Sequence, residues 1–390
     1  MDYNKLLNRS VCSIKPSGIR KFFDIAAEMD NVITLGVGEP DFMTPWHIRE
    51  AGIHALETGK TFYTANLGLI SLRKEICSYL STHFGVEYCP KTETVVTVGG
   101  SEAIDAAIRA LVNPGDEVLI PEPSFVCYSP ITSLAGGVPI PVPTLEKNDF
   151  KLTVEDIKNL VTEKTKILVL PFPNNPTGAV MTKEDLEPIA DFIRNTNIII
   201  LSDEIYGELT YTGKPHVSIA SLEGMKERTI LVSGFSKAYA MTGWRLGYAC
   251  APAPIMTQMM KIHQYCIMCA PTTAQYAAIE ALQNGDEDIS TMKESYNMRR
   301  KLVVDGLRKM GIPCFEPLGA FYVFPNISQF GLSSEDFCTE LLKAQRVAVV
   351  PGNAFGESGE GFVRISYSYS VNHLVEALDR IKTFITGLKK

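Results

Sequence analysis

Short apolar runs alternate with helix-like patterns of apolar and polar residues through the middle of the chain. Five runs have the length and composition of strands: Thr94–Val98, Glu117–Ile120, Lys166–Leu170, Asn197–Leu201 and Thr229–Val232. Strands that are apolar on both faces are typical of parallel sheets covered by helices. Thr153 and Thr182 each precede an acid by three residues, which indicates helix starts. The pattern predicts an α/β domain with a mostly parallel sheet over residues 46–283.

The pattern changes in the last third of the chain. Asp286–Met310 predicts a long charged helix, Gly319–Phe324 and Val347–Val350 predict strands, and a closing helix begins near His373. These elements predict a smaller α+β domain over residues 284–390. Residues 1–45 contain few strand signals, so we expect this segment to pack on the small domain or against the active site.

Composition narrows the class of protein. A chain of 390 residues exceeds what one hydrophobic core usually serves, which favours two domains. The net charge of −7 disfavours nucleic acid as the main partner, and no apolar run is long enough to span a membrane. Nine scattered cysteines and an N-terminus without an apolar leader favour the reducing cytoplasm. The one CxxC pair, Cys266 and Cys269, has no second pair nearby, so we expect no metal site.

Candidate ligand-binding residues follow the predicted strands, because ligands of α/β sheets bind at the carboxyl ends of strands. Gly100, Ser101 and Glu102 open a helix directly after Thr94–Val98, and free amides at a helix N-terminus bind anions. The carboxylate of Glu102 would repel a phosphate, so its side chain must point away. The alternative for this motif is a simple strand–helix turn.

Polar side chains follow the next two strands as well. Asn175, in Asn174–Gly178, precedes a proline and can donate its amide to a ligand oxygen, although a plain turn explains it too. Asp203 ends the most apolar strand and is costly to bury unless it meets a cation. Tyr206 lies three residues later and can reach the same ligand. The alternative for Asp203 is a helix cap.

A lysine and two arginines complete the set. Lys237 lies among small and apolar residues, where desolvation favours a neutral amine that can attack a carbonyl. Ser236 and Arg245 suit a phosphate, and Arg364, in an apolar strand, needs a carboxylate partner. Together the motifs call for a phosphate, a cationic aromatic nitrogen, a phenolic oxygen and an aldehyde. Pyridoxal phosphate carries all four groups.

The sequence resembles the class I aminotransferases, which have pyridoxal-phosphate fold type I. The resemblance rests on motifs spread from about Ile14 to the C-terminus: Leu35–Phe42, Asn175–Gly178, Ser202–Tyr206, Ser236–Gly247 and Phe362–Ser366. Ser17–Phe22 is similar to the aromatic and aspartate aminotransferase branch. The resemblance implies a large domain with a mostly parallel seven-stranded sheet covered by helices, and a small α+β domain.

The resemblance also implies a role for each cofactor-binding residue. Lys237 would bind the cofactor aldehyde covalently, and Asp203 would hold the ring nitrogen. Tyr206 and Asn175 would bind the ring oxygen, while Phe125 would stack on the ring, where many members of the family carry tryptophan or tyrosine. The phosphate would be held by the remaining residues of the set: Gly100, Ser101, Glu102, Ser236 and Arg245.

Two further implications concern the substrate and the oligomer. Arg364 would bind the substrate α-carboxylate, helped by the backbone of Gly38 and by Asn175. Tyr63 would reach the cofactor phosphate of the other subunit, so that a homodimer shares its active sites.

The expected activity is transfer of an amino group from an L-amino acid, aromatic or aspartate, to a 2-oxo acid, with 2-oxoglutarate implied by the resemblance. Lys237, Asp203 and Tyr206 would be catalytic, and the kinetics would be ping-pong. The rival activities are β-elimination by a C–S lyase of this fold and a cofactor-sensing regulator. A nucleotide-binding protein is disfavoured, because neither GxxxxGK[ST] nor GxGxxG occurs. Ile19, Phe22 and Phe23 either line an aromatic pocket or belong to the core.

Overall fold

The structure, a computed structural model, describes residues 1–16 and 29–388 of the chain. Ile19, Phe22, Phe23 and the Ser17–Phe22 motif lie outside the described residues. Within the two described ranges, no helix is long and apolar enough to cross a membrane.

The central feature is a seven-stranded sheet with the order β2-β8-β7-β6-β5-β3-β4, in which β8 alone runs antiparallel to its neighbours. The strands are β1 (Ile33–Thr34), β2 (Thr94–Thr97), β3 (Glu117–Glu122), β4 (Val138–Pro143), β5 (Thr165–Leu170), β6 (Ile199–Asp203), β7 (Thr229–Gly234), β8 (Gly247–Cys250), β9 (Tyr322–Val323), β10 (Val347–Ala348), β11 (Val350–Pro351) and β12 (Val363–Ser366). The predicted mostly parallel seven-stranded sheet is therefore confirmed.

Helices connect the strands and cover the sheet. Thr153 and Thr182 form capping boxes with the acids three residues later, as the sequence predicts. The α-helices are α1 (Arg9–Ser13), α2 (Trp46–Glu57), α3 (Ile70–Phe84), α4 (Gly100–Leu111), α5 (Tyr128–Leu134), α6 (Val154–Lys158), α7 (Lys183–Arg194), α8 (Ala253–Cys266), α9 (Thr272–Asn284), α10 (Asp286–Lys309), α11 (Ser334–Gln345) and α12 (Val371–Leu388).

The sheet forms because its central strands bury apolar side chains on both faces. Along β6, Ile200 packs into one hydrophobic cluster and Leu201 into another on the opposite face. The same alternation occurs in β5, where Leu168 and Val169 join these two clusters. Burial on both sides leaves the strand ends as the places where polar side chains can meet a ligand.

Smaller sheets form near the C-terminus. β11, β12 and β9 make an antiparallel sheet, and β1 pairs in parallel with β10, which ties the N-terminal segment to this part of the chain. The strand predicted at Gly319–Phe324 is reduced to β9, because Ala320 adopts a left-handed backbone with φ 55°. The single strand predicted at Val347–Val350 is two strands, β10 and β11, in different sheets. The domain boundaries at residues 45 and 283 stay predictions.

Two strands of the main sheet were missed from the sequence. β4 contains Pro139, Pro141 and Pro143, which disfavour a strand but are tolerated here because β4 lies at the sheet edge. β8 begins at Gly247, inside the glycine-containing Ser236–Gly247 motif, and its backbone lies against Gly99 and Gly100.

Candidate active site

A cavity of about 530 Å³ opens at the carboxyl ends of the parallel strands. Asp203 at the end of β6 and Gly100 at the start of α4 contribute to its wall. All the predicted site residues line it except Glu102 and Tyr63: Gly38, Gly100, Ser101, Phe125, Asn175, Asp203, Tyr206, Ser236, Lys237, Arg245 and Arg364. Residues from distant parts of the sequence therefore meet at one site.

The amine of Lys237 faces this cavity, three residues after the end of β7. Its Nζ donates a hydrogen bond to the carbonyl oxygen of Gly38 at 2.6 Å. Burial, with the positive charges of Arg364 and Arg245, lowers the pKa of Lys237 to about 8, while Glu39 and Asp203 oppose this fall. Roughly a tenth of the amine is therefore neutral and nucleophilic at pH 7, far more than for an ordinary lysine.

Asp203 holds a buried carboxylate at the floor of the cavity. Tyr128 donates its hydroxyl to Oδ2 at 2.7 Å, and the backbone amide of Ile205 donates to Oδ1 at 3.2 Å. Burial raises the pKa of Asp203, and these two hydrogen bonds oppose the rise. Among the described residues no cation forms an ion pair with this carboxylate. The carboxylate is thus suited to a cationic ligand atom.

Arg364 and Asn175 form a second polar group on the wall. Nη1 of Arg364 donates to Oδ1 of Asn175 at 2.9 Å, and Nη2 donates to the carbonyl oxygen of Gly36. The guanidinium is buried, and its Nε has no hydrogen-bond partner within the described part of the chain. A buried donor without a partner is costly, so this arrangement suits an anionic ligand.

An anion can also bind where α4 begins. A Cβ atom on Gly247 would lie 2.6 Å from the carbonyl carbon of Gly99 and 2.7 Å from the nitrogen of Gly100. Glycine is needed there for the close approach of β8 to the helix N-terminus. The guanidinium of Arg245 lies beside Gly99, with a Cβ on that glycine only 2.8 Å from Nη2. The free amides at the start of α4 and the charge of Arg245 can therefore bind the same anion.

The side chain of Glu102 points away from the cavity, as expected for a carboxylate that would repel a phosphate. Its Oε2 accepts a hydrogen bond from the amide of Val98 at 2.5 Å, and its Oε1 lies 2.5 Å from Nδ1 of His263. Only the backbone of Glu102 is available to an anion at the start of α4. Its carboxylate oxygens instead contact the Val98 amide and His263, outside the cavity lining.

Tyr63 lies outside the cavity of its own chain, with 81% of its surface exposed. It belongs to an exposed apolar patch with Phe62, Tyr265, Ile267 and Met268. The two segments of this patch are joined by hydrogen bonds. Thr272 donates to the carbonyl oxygen of Phe62 at 2.7 Å, and the Asn66 amide donates to that of Met268 at 2.8 Å.

Sequence reasoning missed three aromatic residues of the site. Tyr128 binds Asp203, and Tyr322 lines the wall with its hydroxyl 2.8 Å from that of Tyr206. Phe355 lies with its ring centroid 4.8 Å from the guanidinium carbon of Arg364. Only Tyr128 had a sequence signal, because it follows the predicted residue Phe125 by three residues.

The groups of the cavity fit pyridoxal phosphate. A helix N-terminus with Arg245 suits the phosphate, the unpaired carboxylate of Asp203 suits a protonated ring nitrogen, and the amine of Lys237 suits the aldehyde. The parallel sheet and these groups together define a pyridoxal-phosphate-dependent enzyme of fold type I.

Comparison with known proteins gives the family. Residues 30–381 match the model of aminotransferase class I and II. The chain is 49% identical to an aspartate aminotransferase of Pyrococcus abyssi and 46% identical to aromatic-amino-acid aminotransferase 2 of Thermococcus litoralis, in each case over 96% of this chain and 97% of the relative. The crystal structure of an aromatic aminotransferase from Pyrococcus horikoshii superposes with a TM-score of 0.91 at 47% identity, covering 95% of this chain and 99% of that one.

The chain therefore belongs to the class I and II aminotransferase family and is a pyridoxal-phosphate-dependent aminotransferase. The expected family, fold, cofactor and transaminase activity are confirmed. The C–S lyase alternative is not favoured, because these relatives are named aminotransferases.

The lowered pKa of Lys237 predicts a specific pH dependence. In the cofactor-free protein, we expect the labelling rate of Lys237 by acetic anhydride to rise with pH through a midpoint of about 8, because only the neutral amine reacts. Peptide mass spectrometry measures the rate, with the exposed Lys74 as internal reference. A rate that keeps rising beyond pH 10, without a midpoint near 8, would contradict the desolvated environment.

Proposed function

We propose that Lys237, Asp203 and Tyr206 are the catalytic residues of this aminotransferase, and that its amino donor is an L-amino acid with an aromatic side chain. One observation carries the proposal. The desolvated amine of Lys237, the buried carboxylate of Asp203 and two arginines converge on a single cavity of about 530 Å³. No second described cavity brings these groups together.

The cofactor would be held at three places. The amides of Gly100, Ser101 and Glu102, with Ser236 and Arg245, would hold the phosphate, which a helix N-terminus and a guanidinium both favour. Asp203 would hold the protonated ring nitrogen. Asn175 and Tyr206 would bind the ring oxygen, and Phe125 would pack on the ring. When bound, the cofactor supplies an electron sink for the negative charge left at the substrate Cα.

The protein itself moves the proton. Nζ of Lys237, whose pKa is about 8, would take the Cα proton of the substrate as a general base and then, in its protonated form, would donate a proton to the carbon that carried the aldehyde. Gly38 accepts a hydrogen bond from this amine and so orients it toward the cavity. Asp203, ionised beside the ring nitrogen, would keep that nitrogen protonated throughout the reaction.

Arg364 would bind the α-carboxylate of the substrate. Its Nε is a buried donor that lacks a partner among the described residues, and Asn175 fixes the guanidinium from one side at 2.9 Å. A planar guanidinium can bind a carboxylate through two parallel hydrogen bonds, which orients the Cα–H bond. Gly38 would add a backbone contact.

The charges of the cavity support an aromatic donor. The cations that line it, as far as the chain is described, are Lys237, Arg245 and Arg364, and each already has a role. None of these three remains for the distal carboxylate of aspartate. The wall also contains Val37, Ile104 and other apolar side chains. A relative named aromatic-amino-acid aminotransferase agrees with this choice.

A donor panel tests the choice. With one common oxo acid, we expect kcat/KM for phenylalanine or tyrosine to exceed that for aspartate by roughly 10- to 100-fold, since a desolvated carboxylate without a partner is costly. The acceptor is varied independently, because 2-oxoglutarate carries a distal carboxylate too. Ammonia release is measured in parallel as the control for elimination. A preference for aspartate would contradict the proposed donor, and ammonia without amino-group transfer would contradict transamination.

We further propose a homodimer in the cytoplasm. Support for the dimer comes from the exposed apolar patch around Tyr63, which a second copy would cover. Tyr63 would then reach the phosphate site of the partner. Support for the location comes from the nine cysteines, all of which are described and free.

Mixed dimers test the shared site. Arg364→Ala and Tyr63→Ala subunits, each inactive at limiting cofactor, should regain activity when refolded together, because one site of each mixed dimer has both residues intact. A mixture of Arg364→Ala and Lys237→Ala is the matched control and should stay inactive, because both residues act within one chain. Failure of the first mixture to recover, with subunit exchange verified by mass spectrometry, would exclude the shared site.

A further inference from the structure

Tyr322 contacts both Tyr206 and Arg364, two residues with separate proposed roles. It begins β9, is fully buried, and lines the cavity. Its hydroxyl lies 2.8 Å from that of Tyr206. Its ring centroid lies 4.5 Å from the guanidinium carbon of Arg364. One side chain thus touches the residue proposed for the ring oxygen and the residue proposed for the substrate carboxylate.

The hydroxyls of Tyr206 and Tyr322 share one hydrogen bond. One of their two hydroxyl hydrogens lies in this bond, and the other can be donated elsewhere. In the described part of the chain, each hydroxyl has the other as its hydrogen-bond partner. The Tyr322 hydroxyl lies close to Gly38. A Cβ atom on this glycine would be only 2.3 Å from the hydroxyl oxygen. A hydrogen of Tyr322 directed there would meet a Cα rather than an acceptor. The hydrogen of Tyr322 is therefore best placed in the shared bond.

The position of Arg364 favours the same direction. Arginine is always charged, and a cation over a phenol ring makes the hydroxyl more acidic and a better donor. Burial raises the pKa of Tyr322, and the charge of Arg364 opposes that rise. Lys237 lies over the ring of Tyr206, but at 5.9 Å and as a partly neutral amine. Tyr322 is the better placed donor of the two.

The ring of Tyr322 also limits where Arg364 can move. The guanidinium carbon lies 4.5 Å from the ring centroid of Tyr322 and 4.8 Å from that of Phe355. Hydrogen bonds to Asn175 and Gly36 fix its edge. These four contacts together restrict the orientation of the guanidinium and of its unpartnered Nε.

We propose that Tyr322 is a positioning residue that donates its hydroxyl hydrogen to Tyr206 and, with its ring, fixes Arg364. The Tyr206 hydrogen is then free for an acceptor in the cavity, and a hydroxyl that accepts one hydrogen bond donates the next more strongly. This inference rests on the proposed roles of Tyr206 and Arg364. A plain core tyrosine would fill space without either effect.

A double-mutant cycle tests the hydroxyl. Tyr322→Phe, Tyr206→Phe and the double variant are loaded with pyridoxal phosphate, and visible absorbance is titrated against pH. We expect Tyr322→Phe to move the pH midpoint of this absorbance change to higher pH, equivalent to about a fivefold change in proton affinity, because Tyr206 becomes a poorer donor to the ring oxygen. Tyr206→Phe should move the midpoint further. In the double variant, the midpoint should equal that of Tyr206→Phe alone.

Ligand binding tests the ring. Tyr322→Phe keeps the ring and should leave the Kd of the unreactive carboxylate 3-phenylpropionate within about twofold of wild type, whereas Tyr322→Leu should weaken it about fivefold or more. Tyr367→Phe is the matched control, because it removes a buried hydroxyl from the same cluster outside the cavity wall. Thermal unfolding of the cofactor-free variants checks the fold. If Tyr322→Leu fails to fold, the double-mutant cycle of Tyr322→Phe and Tyr206→Phe still tests the role of the hydroxyl.

The outcomes separate this inference from the proposed function. Additive shifts in the double variant, or a Tyr322→Phe titration matching that of Tyr367→Phe, would overturn the positioning role alone. A wild-type protein that acquires no visible absorption with pyridoxal phosphate would overturn the proposed function and this inference with it. A missing effect of Tyr322→Phe in the Tyr206→Phe background, after a clear effect in wild type, supports it.

Discussion

The carboxylate of Asp203 lies at the end of β6, where burial removes most of its contact with bulk water. Two hydrogen bonds, from Tyr128 at 2.7 Å and from the Ile205 amide at 3.2 Å, offset part of that cost. They do not replace a cation, and burial still raises its pKa. In the proposed site the other groups are arranged around this unpaired charge, which a cationic ring nitrogen would stabilise.

The other groups of the cavity depend on the same exclusion of water. Burial that penalises the charge of Asp203 also lowers the pKa of Lys237 to about 8 and leaves Nε of Arg364 without a partner. Three unfavourable arrangements therefore occur within one cavity. The cofactor would relieve those of Asp203 and Lys237, and the substrate carboxylate would relieve that of Arg364. The close approach of Gly247 to the start of α4 would fix where the cofactor phosphate can bind.

Sequence reasoning predicted the residues at strand ends and missed those that act through contacts between distant segments. Asp203 and Lys237 could be placed because the ends of parallel strands meet at one edge of a sheet. Tyr322 and Phe355 could not, because their contacts with Arg364 depend on how the C-terminal strands pack. The predicted strand at Gly319–Phe324 failed for a local reason, the left-handed backbone of Ala320, which the residue type does not indicate.

The most direct measurement of the central claim is the rate of the first half-reaction in Asp203→Asn. With the cofactor bound, an asparagine amide cannot hold the ring-nitrogen charge, and losing a charge pair of about 4 kcal/mol slows the step by about a thousandfold. Stopped-flow absorbance under single-turnover conditions gives the rate, and the thermal unfolding midpoint verifies the fold. We expect a large loss of rate in a folded protein. A rate within a few fold of wild type would show that Asp203 only caps the loop after β6.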